Sequence, residues 1–238
     1  MLDVNVSLFP ISIEGRDYPG VLKRLREVVW AAMHRREFVR YSIAAMVRIQ
    51  VDDKYLLVQN RHFGKYQPVG GALKRLPHSE HTLSQLGVRE DNMFKPDEIN
   101  RGDLRVQVPA TSIVRFLNWY ASGRGRELGP WREFFEELIR SGILPSAAFP
   151  YAHFQHIRRH NTGIDRARHV NDGARYECRI AEIFDLVPSD EQRDPLRQLV
   201  QSHDARIMWA TAEEIETHGV VPKAQPVARI AETATWIV

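Results

Sequence analysis

Two different spacings of hydrophobic residues run along the chain, and each spacing predicts one type of secondary structure. Over residues 18–38, apolar residues recur every three or four positions, which predicts an amphipathic helix. Its apolar positions are Val21, Leu25, Val28, Val29 and Ala32. The charged residues among them, which we expect to face water, are Lys23, Arg24, Arg26 and Glu27.

Strand-forming residues dominate the next part of the chain. Residues 41–51 and 54–60 are rich in them and flank Asp52 and Asp53, so they predict a β-hairpin. The glycines and the proline of residues 62–74 predict a loop or a tight turn. Further strands are predicted over residues 104–109, 152–160 and 174–187.

Helical spacing returns later in the chain. Residues 110–122 and 130–140 predict helices, and Gly142 is a plausible end for the second. Residues 205–219 predict a strand, a turn and a helix, with Thr211 and Glu214 in the capping-box pattern. This mixed order predicts an α+β fold, an α/β sandwich with a mixed sheet between helices. We assign residues 1–40 to an N-terminal extension with a helix and residues 41–238 to one domain, with an insertion at about 75–128.

Composition is typical of a globular protein from a reducing compartment. The 238 residues are 43% hydrophobic, which is enough for a buried core, and carry a net charge of +3. So small a charge gives no strong indication of a nucleic-acid partner. Cys178 is the only cysteine, which excludes an internal disulfide and is typical of a cytoplasmic protein. We find neither a signal peptide nor a run of about 18 apolar residues, so we expect no membrane partner.

Three glutamates in the stretch "REFFEEL" are the first candidates for chemistry: Glu133, Glu136 and Glu137. Residues three and four apart share one face of a helix, so the three carboxylates would repel each other. Mg²⁺ or Mn²⁺, which prefer oxygen ligands, would turn this repulsion into binding. The alternative is a solvated acidic face near a helix N-terminus, where the helix dipole favours acids. The spacing by itself favours this simpler interpretation.

The surrounding sequence resembles the Nudix box. That signature runs Gly, five residues, Glu, seven residues, and then Arg-Glu-aliphatic-any-Glu-Glu-any-Gly. The stretch "REFFEEL" matches its second half, and "LLVQNRHFGKYQPVGGALK" resembles the strand and the Gly-Gly turn that precede it. Residues 205–219 resemble the closing strand and helix of the Nudix fold.

The box is split in this chain. Counted from Gly71, the first glutamate of the signature would fall at Pro77 and its arginine at Gln85, whereas the matching arginine is Arg132. About 47 extra residues therefore separate the two halves. Such an insertion is tolerable, because closing a long surface loop costs little entropy. In addition, Ile139 stands where the signature has its last glycine.

A split box of this kind looks like that of the SMODS-associated Nudix family, which is named for its association with bacterial nucleotide-second-messenger conflict systems. The resemblance implies Mg²⁺- or Mn²⁺-dependent hydrolysis of a phosphoanhydride in a nucleotide substrate, in a bacterial signalling or anti-phage system. The implied metal ligands are Glu127, Glu133, Glu136 and Glu137, with Glu80 as the alternative to Glu127. The implied catalytic residues are Arg132, Glu136 and Glu137.

Other candidates follow from single residues. Arg158 and Arg159 form a basic cluster that suits a phosphate, although a solvated strand edge would look the same, and Gly70 and Gly71 are expected beside the substrate. The spacing of His153, His156 and His160 suits zinc on a helix, but their segment predicts a strand. For Cys178, and for Trp119, Trp131 and Trp209, core packing is the preferred interpretation over a nucleophile or a stacking platform.

Two functions of another class stay open. The domain could bind a nucleotide as a sensor without cleaving it, since the first glutamate of the box is unassigned. It could also be a scaffold for protein interactions, in which case an apolar patch on the helix at residues 18–38 would be exposed. The sequence also leaves a homodimer open.

Overall fold

The structure is a computed structural model that describes residues 18–60, 64–91, 101–167, 174–220 and 229–238, with residues 18–24 described by their backbone only. Residues 1–17 of the predicted extension, residues 92–100 of the predicted insertion and the start of the predicted turn at His62 lie outside the described residues.

Within these ranges the helices are α1 (Tyr18–Met33), α2 (Glu80–Gln85), α3 (Ile113–Ala121), α4 (Trp131–Phe134), α5 (Asp190–Val200) and α6 (Ala212–Glu216). Short 3-10 turns cover Pro77–Ser79, Ala110–Ser112 and Glu232–Trp236. The strands are β1 (Phe38–Arg48), β2 (Gln50–Val51), β3 (Lys54–Gln59), β4 (Tyr66–Ala72), β5 (Arg89–Glu90), β6 (Arg105–Pro109), β7 (His153–Asn161), β8 (Asp165–Arg166), β9 (Tyr176–Val187) and β10 (Ile207–Thr211).

Strand β1 is the centre of a large mixed sheet. Along one edge it pairs in parallel with β9. Along the other edge, its first half pairs with β6 and its second half with β4, both antiparallel. The sheet continues from β4 through β3 to β10 and from β6 to β5, while β7 and β8 pair with β9. The sheet is open rather than closed, and the predicted α+β class is confirmed.

Helices cover both faces of this sheet. On one face, α3 contributes Phe116 to a core under the first half of β1, and α4 contributes Phe134 to a second core. On the other face, α6 and the C-terminal turn bury Ile215 and Ala234 against Met46 of β1. No helix in the described ranges is long and apolar enough to cross a membrane. The result is a sandwich in which β1 and β4 are covered on both sides.

The predicted orientation of the first helix is wrong for Glu27 and for most of the described apolar stripe. Arg26 is exposed as predicted, and the side chains of Lys23 and Arg24 lie outside the described residues. Helix α1 ends at Met33, and Phe38 already begins β1. Glu27 is buried and accepts a hydrogen bond from Asn161 Nδ2 at 3.4 Å, while Trp30 packs against the core. The apolar residues that are exposed instead are Leu25, Val28 and Val29. A buried carboxylate and an aromatic ring therefore orient the helix, and not its apolar stripe.

The predicted turn at residues 62–74 is mostly a strand. In β4, Gly70 and Gly71 lie opposite Met46 and Ala45 of β1. Gly70 has a φ of +146°, and a side chain there would overlap the carbonyl oxygen of Ala45. The glycine thus permits a close approach of two strands instead of a change of chain direction.

The inserted segment leaves and rejoins the domain at neighbouring points. Lys74 forms a β-bridge with Asp103, and Arg75 forms one with Arg126. The main-chain N–H of Glu127 donates to Lys74 O at 2.8 Å. Between these points, β6 pairs with β1, and α3 packs on the core beneath β1. The segment therefore shares its core with the rest of the domain.

A peptide of residues 75–128 alone should accordingly be unfolded. Phe116 of this segment packs against Tyr41 of β1, with 5.1 Å between ring centroids, and Val106 lies in the same cluster. Without β1 these side chains lose their partners, and about 50 residues seldom form a core of their own. Circular dichroism should show no cooperative melting of the peptide, in contrast to the whole chain. A cooperative transition of the isolated peptide would contradict this prediction.

Candidate active site

The three glutamates of "REFFEEL" lie on one helix, which begins as an α-helix and continues as a π-helix. Helix α4 continues from Phe134 into a π-helical turn over Phe135–Ile139, in which Arg140 N donates to Phe135 O at 2.7 Å. The helix predicted over residues 130–140 is therefore present, but its second half is wider than an α-helix. Single π turns inside helices occur frequently at functional sites.

Buried side chains determine which way this helix faces. Phe134 and Leu138 are fully buried, and the Phe134 ring packs edge-on against Phe154 with 5.5 Å between centroids. Ile139, at the glycine position of the Nudix signature, is also buried in this core. Ile139 therefore fits into this core although the signature has glycine there, and the glutamates point away from the core.

Glu133 lies directly over Gly71. A Cβ atom added to Gly71 would come within 2.6 Å of Glu133 Cδ, so only glycine leaves room for this carboxylate. Burial raises the pKa of Glu133 above its ordinary value. The pairing with Arg132 opposes this shift, while the charges of Glu136 and Asp103 add to it. The position is therefore one in which a negative charge is costly unless a cation compensates it.

Glu137 contacts the neighbouring glycine. The main-chain N–H of Gly70 donates to Glu137 Oε2 at 2.8 Å. The two glycines of β4 thus meet two glutamates of the helix, each through a different contact. Glu136 lies between them in sequence, and 40% of its side chain is exposed.

Arg132 connects the two halves of the split box. Its Nε donates to Glu127 Oε1 at 2.8 Å, and its Nη2 donates to Ala72 O at 2.7 Å. Its Nη1 lies 2.7 Å from Glu133 Oε1 and 3.6 Å from Glu136 Oε2. Burial by itself would lower the pKa of Arg132, but Glu127 and Glu133 outweigh it and raise the pKa, so the guanidinium stays charged.

Of the two candidates for the first glutamate, Glu127 lies at this site. Its Oε2 accepts hydrogen bonds from Lys74 N at 2.8 Å and from Arg132 Nη2 at 3.1 Å. Glu80 is exposed at the first position of α2. The folded insertion thus returns the chain to the segment after Gly71, where Glu127 contacts both Lys74 and Arg132. Glu127 and Arg132 are both far from Gly71 in sequence.

A further acidic residue was missed by the sequence reasoning. Asp103 is buried, and its carboxylate lies 2.5 Å from Lys74 Nζ and 3.1 Å from Arg105 Nη1. Burial raises the pKa of Asp103, although Lys74 and Arg105 oppose the shift. The stretch around Asp103 carries no recognisable pattern, and only the β-bridge to Lys74 brings it to the site.

A cavity of about 180 Å³ adjoins the two glycines on the face of the sheet that carries Met46. Gly70, Gly71 and Ala72 form one wall of it. The polar residues that line it are Ser42, Asn60, Gln67, Arg105 and Thr233. The same two glycines thus separate a polar cavity from the glutamates on the helix.

The predicted phosphate ligands lie elsewhere. Arg158 Nη2 donates to the carbonyl oxygens of Trp236 at 2.8 Å and Val238 at 2.5 Å. Arg159 Nε donates to Glu182 Oε1 at 2.8 Å. Both arginines are on β7, and neither lines the cavity beside Gly70.

The remaining candidates have other surroundings. His153, His156 and His160 are on strand β7, as their segment predicted, and His156 Nε2 lies 2.8 Å from Glu182 Oε2. Trp119 and Trp209 are partly buried against the cores, and Trp131 stacks on Phe134. Cys178 is fully buried in the core, as expected.

In the part of the chain that the structure describes, no three side chains of His, Cys, Asp or Glu are gathered closely enough to hold a metal ion. The structure instead brings Glu127, Glu133 and Glu136 together around Arg132 and turns Glu137 toward Gly70. These are oxygen ligands of the type that Mg²⁺ and Mn²⁺ prefer.

Comparison with known proteins agrees with this geometry. A search of curated proteins finds no match. The sequence profile of the SMODS-associated NUDIX domain matches residues 38–238, from the start of β1 through the glycine pair, the insertion and the glutamate helix. Because this match covers most of the chain, the protein belongs to the SMODS-associated NUDIX family.

Proposed function

We propose that this protein hydrolyses a phosphoanhydride in a nucleoside-diphosphate-linked or related nucleotide substrate and that it needs Mg²⁺ or Mn²⁺. The observation that carries the proposal is the position of Arg132. This one side chain contacts Ala72 O, next to the glycine pair before the insertion, together with Glu133 and Glu136 on the helix after the insertion. The parts of a Nudix box thus lie together in space although they are separated in sequence.

The acidic side chains suit a hard divalent cation. Glu133, Glu136 and Glu137 would hold it after moving closer together: Glu133 lies over Gly71, Glu137 accepts a hydrogen bond from Gly70 N, and Glu136 shares the contact of Glu133 with Arg132. Glu127 is better suited to positioning, because Lys74 N and Arg132 already donate three hydrogen bonds to its carboxylate. When bound, such a cation would neutralise phosphate charge and lower the pKa of an attacking water.

The protein side chains would supply the remaining steps. Arg132 keeps Glu133 and Glu136 in place through its charge-assisted contacts. Glu136 is the carboxylate best placed to accept a proton from water, because its side chain is the more exposed of these two. The phosphates of a substrate would lie beside the cation that these carboxylates hold, since Glu133 and Glu137 already cover the main chain of Gly71 and Gly70.

The cavity would bind an anionic group on the opposite side of the two glycines from the cation. Asp103 holds Arg105 at its wall, which provides a positive charge for a phosphate or another anionic group. Asn60, whose Nδ2 donates to Gln67 Oε1 at 2.9 Å, and Ser42 add hydrogen-bonding groups. We therefore move the proposed substrate contacts from Arg158 and Arg159 to Arg105 and its neighbours.

A biological setting accompanies this proposal. The family name associates the domain with SMODS proteins, so we place its nucleotide substrate in bacterial nucleotide signalling or anti-phage defence, within the cytoplasm. The alternative of a nucleotide sensor is favoured by one observation: Arg132 already pairs with Glu133 and Glu136, which a bound cation would need.

Turnover distinguishes the two functions. We expect purified protein to release products from members of a panel of dinucleotides and nucleoside-diphosphate compounds when millimolar Mg²⁺ or Mn²⁺ is present, and to stop when EDTA removes the metal. Chromatography of the products would measure this. Glu137→Ala should abolish turnover, whereas Glu191→Ala on the exposed surface of α5 should not. Nucleotide binding without any product after long incubation with either metal would replace the enzyme with the sensor.

A further inference from the structure

A buried network of polar side chains lies next to the box on the same face of the sheet. Its centre is Glu182 of β9, which is 4% exposed. Tyr120 Oη donates to Glu182 Oε1 at 2.5 Å, and Arg159 Nε donates to the same oxygen at 2.8 Å. Burial opposes a charge on Glu182, but the hydrogen bonds from Arg159, Tyr120 and His156 prevail and lower its pKa. The carboxylate is therefore a fixed anion in the core.

Tyr120 extends this network to Arg126. The guanidinium of Arg126 lies over the Tyr120 ring, 4.1 Å from its centroid, and its Nε donates to Tyr120 O at 2.8 Å. Arg126 is 8% exposed, which is unusual for an arginine and requires such partners. The ring contact and the hydrogen bond thus fix the end of α3 to the loop that follows it.

Arg126 then reaches the first glutamate of the box. Its Nη1 donates to the main-chain carbonyl of Glu127 at 2.7 Å. On the other side, Glu127 N donates to Lys74 O and Leu76 N donates to Gly125 O, each at 2.8 Å. The main chain of Glu127 is therefore held from two sides, by Lys74 in the segment that follows β4 and by Arg126.

We infer that Arg126 is a positioning residue that places Glu127 in the split box, with Tyr120 and Glu182 as its support. An insertion of about 47 residues leaves the return of the chain to Arg132 undetermined by sequence. Ordering the main chain costs conformational entropy, so a free loop would seldom hold Glu127 in one position beside Arg132. Arg126 supplies this order through the main chain and does not touch the metal carboxylates.

The inference rests on the proposed function for its effect on metal, but its structural part can be tested without metal. We expect Arg126→Gln to accelerate amide hydrogen exchange at residues 122–128 and at Lys74. It should also weaken Mn²⁺ binding, measured by electron paramagnetic resonance, about 10-fold, as loss of an outer partner of a metal site commonly does. Arg126→Lys should restore part of both, since it keeps one cationic donor.

The control is Arg193→Gln, which removes an exposed arginine of α5 that pairs with Asp190. It should leave exchange and Mn²⁺ binding as in the wild type. Unchanged exchange at residues 122–128 in Arg126→Gln, in a protein that melts normally, would overturn the inference. If exchange at these residues is accelerated in Arg126→Gln but the wild-type protein binds no Mn²⁺, the positioning of Glu127 is supported and the proposed metal site is overturned instead.

Discussion

We expect Glu136→Gln to lose most of its Mn²⁺ affinity and its turnover while its melting temperature without metal stays close to that of the wild type. The side chain of Glu136 is 40% exposed, and its Oε2 makes only a long contact, of 3.6 Å, with Arg132 Nη1. The stability of the fold therefore depends little on the charge of Glu136. The effect on metal affinity should be larger, because loss of even an outer partner of a metal site lowers the affinity about 10- to 100-fold. We therefore expect a loss of about 100-fold or more, measured by Mn²⁺ titration.

The stability of the variant separates this explanation from a folding defect. Removing one of several neighbouring carboxylates relieves repulsion, so the free energy of unfolding without metal should change by no more than about 0.5 kcal/mol. Glu216→Gln, at the exposed end of α6, is the matched control and should bind Mn²⁺ normally. Normal Mn²⁺ affinity in Glu136→Gln would exclude Glu136 from the site.

Features that depend on a few neighbouring residues could be predicted from the sequence. The capping box at the start of α6 is one: Thr211 N donates to Glu214 Oε2 at 2.8 Å, as the spacing of the two residues indicates. The match of "REFFEEL" to a signature is another, because the pattern itself fixes the relative positions of Arg132 and the glutamates.

Features that depend on distant contacts could not be predicted. The direction of α1 follows from Glu27 and Trp30, which find their partners on β7 and on Tyr176 of β9. The strand at Gly70 exists because β1 and β3 pair with it, whereas its composition favours a turn. Local propensity is a weak prior when such pairing is available.

The partners of the two arginines predicted to contact the substrate, Arg158 and Arg159, also depend on distant contacts. Two arginines in a row suggest a phosphate site, but charge in a sequence does not show whether the charge already has a partner. Arg158 binds the C-terminal main chain, and Arg159 binds Glu182. Arg105, in contrast, gave no signal by itself, since its role depends on Asp103 and on a cavity formed by five separate segments of the chain.

The glycine pair permits the sharpest test of how the sheet and the glutamate helix fit together. We expect Gly71→Ala to abolish Mn²⁺ binding and turnover, because the new Cβ would lie within 2.6 Å of Glu133 Cδ and force this carboxylate away. Because the flexible Glu133 side chain can move aside, the loss of stability should stay near the lower end of the range for overpacking, about 1 kcal/mol, which lowers the melting temperature of a domain of this size by about 2–4 °C. Calorimetry and Mn²⁺ titration would measure the two effects.

Gly70→Ala should behave differently, although it lies one residue away. Its φ of +146° is unfavourable for alanine, and the new Cβ would be 2.9 Å from Met46 Cα, in a main chain that cannot rotate away. This variant should lose more stability than Gly71→Ala, and shortening Glu133 should not rescue it. In Gly71→Ala/Glu133→Ala, by contrast, the clash is gone, so stability should return while Mn²⁺ binding does not. Wild-type Mn²⁺ affinity in Gly71→Ala would contradict the prediction, because it would show that Glu133 can adopt another position that still permits Mn²⁺ binding.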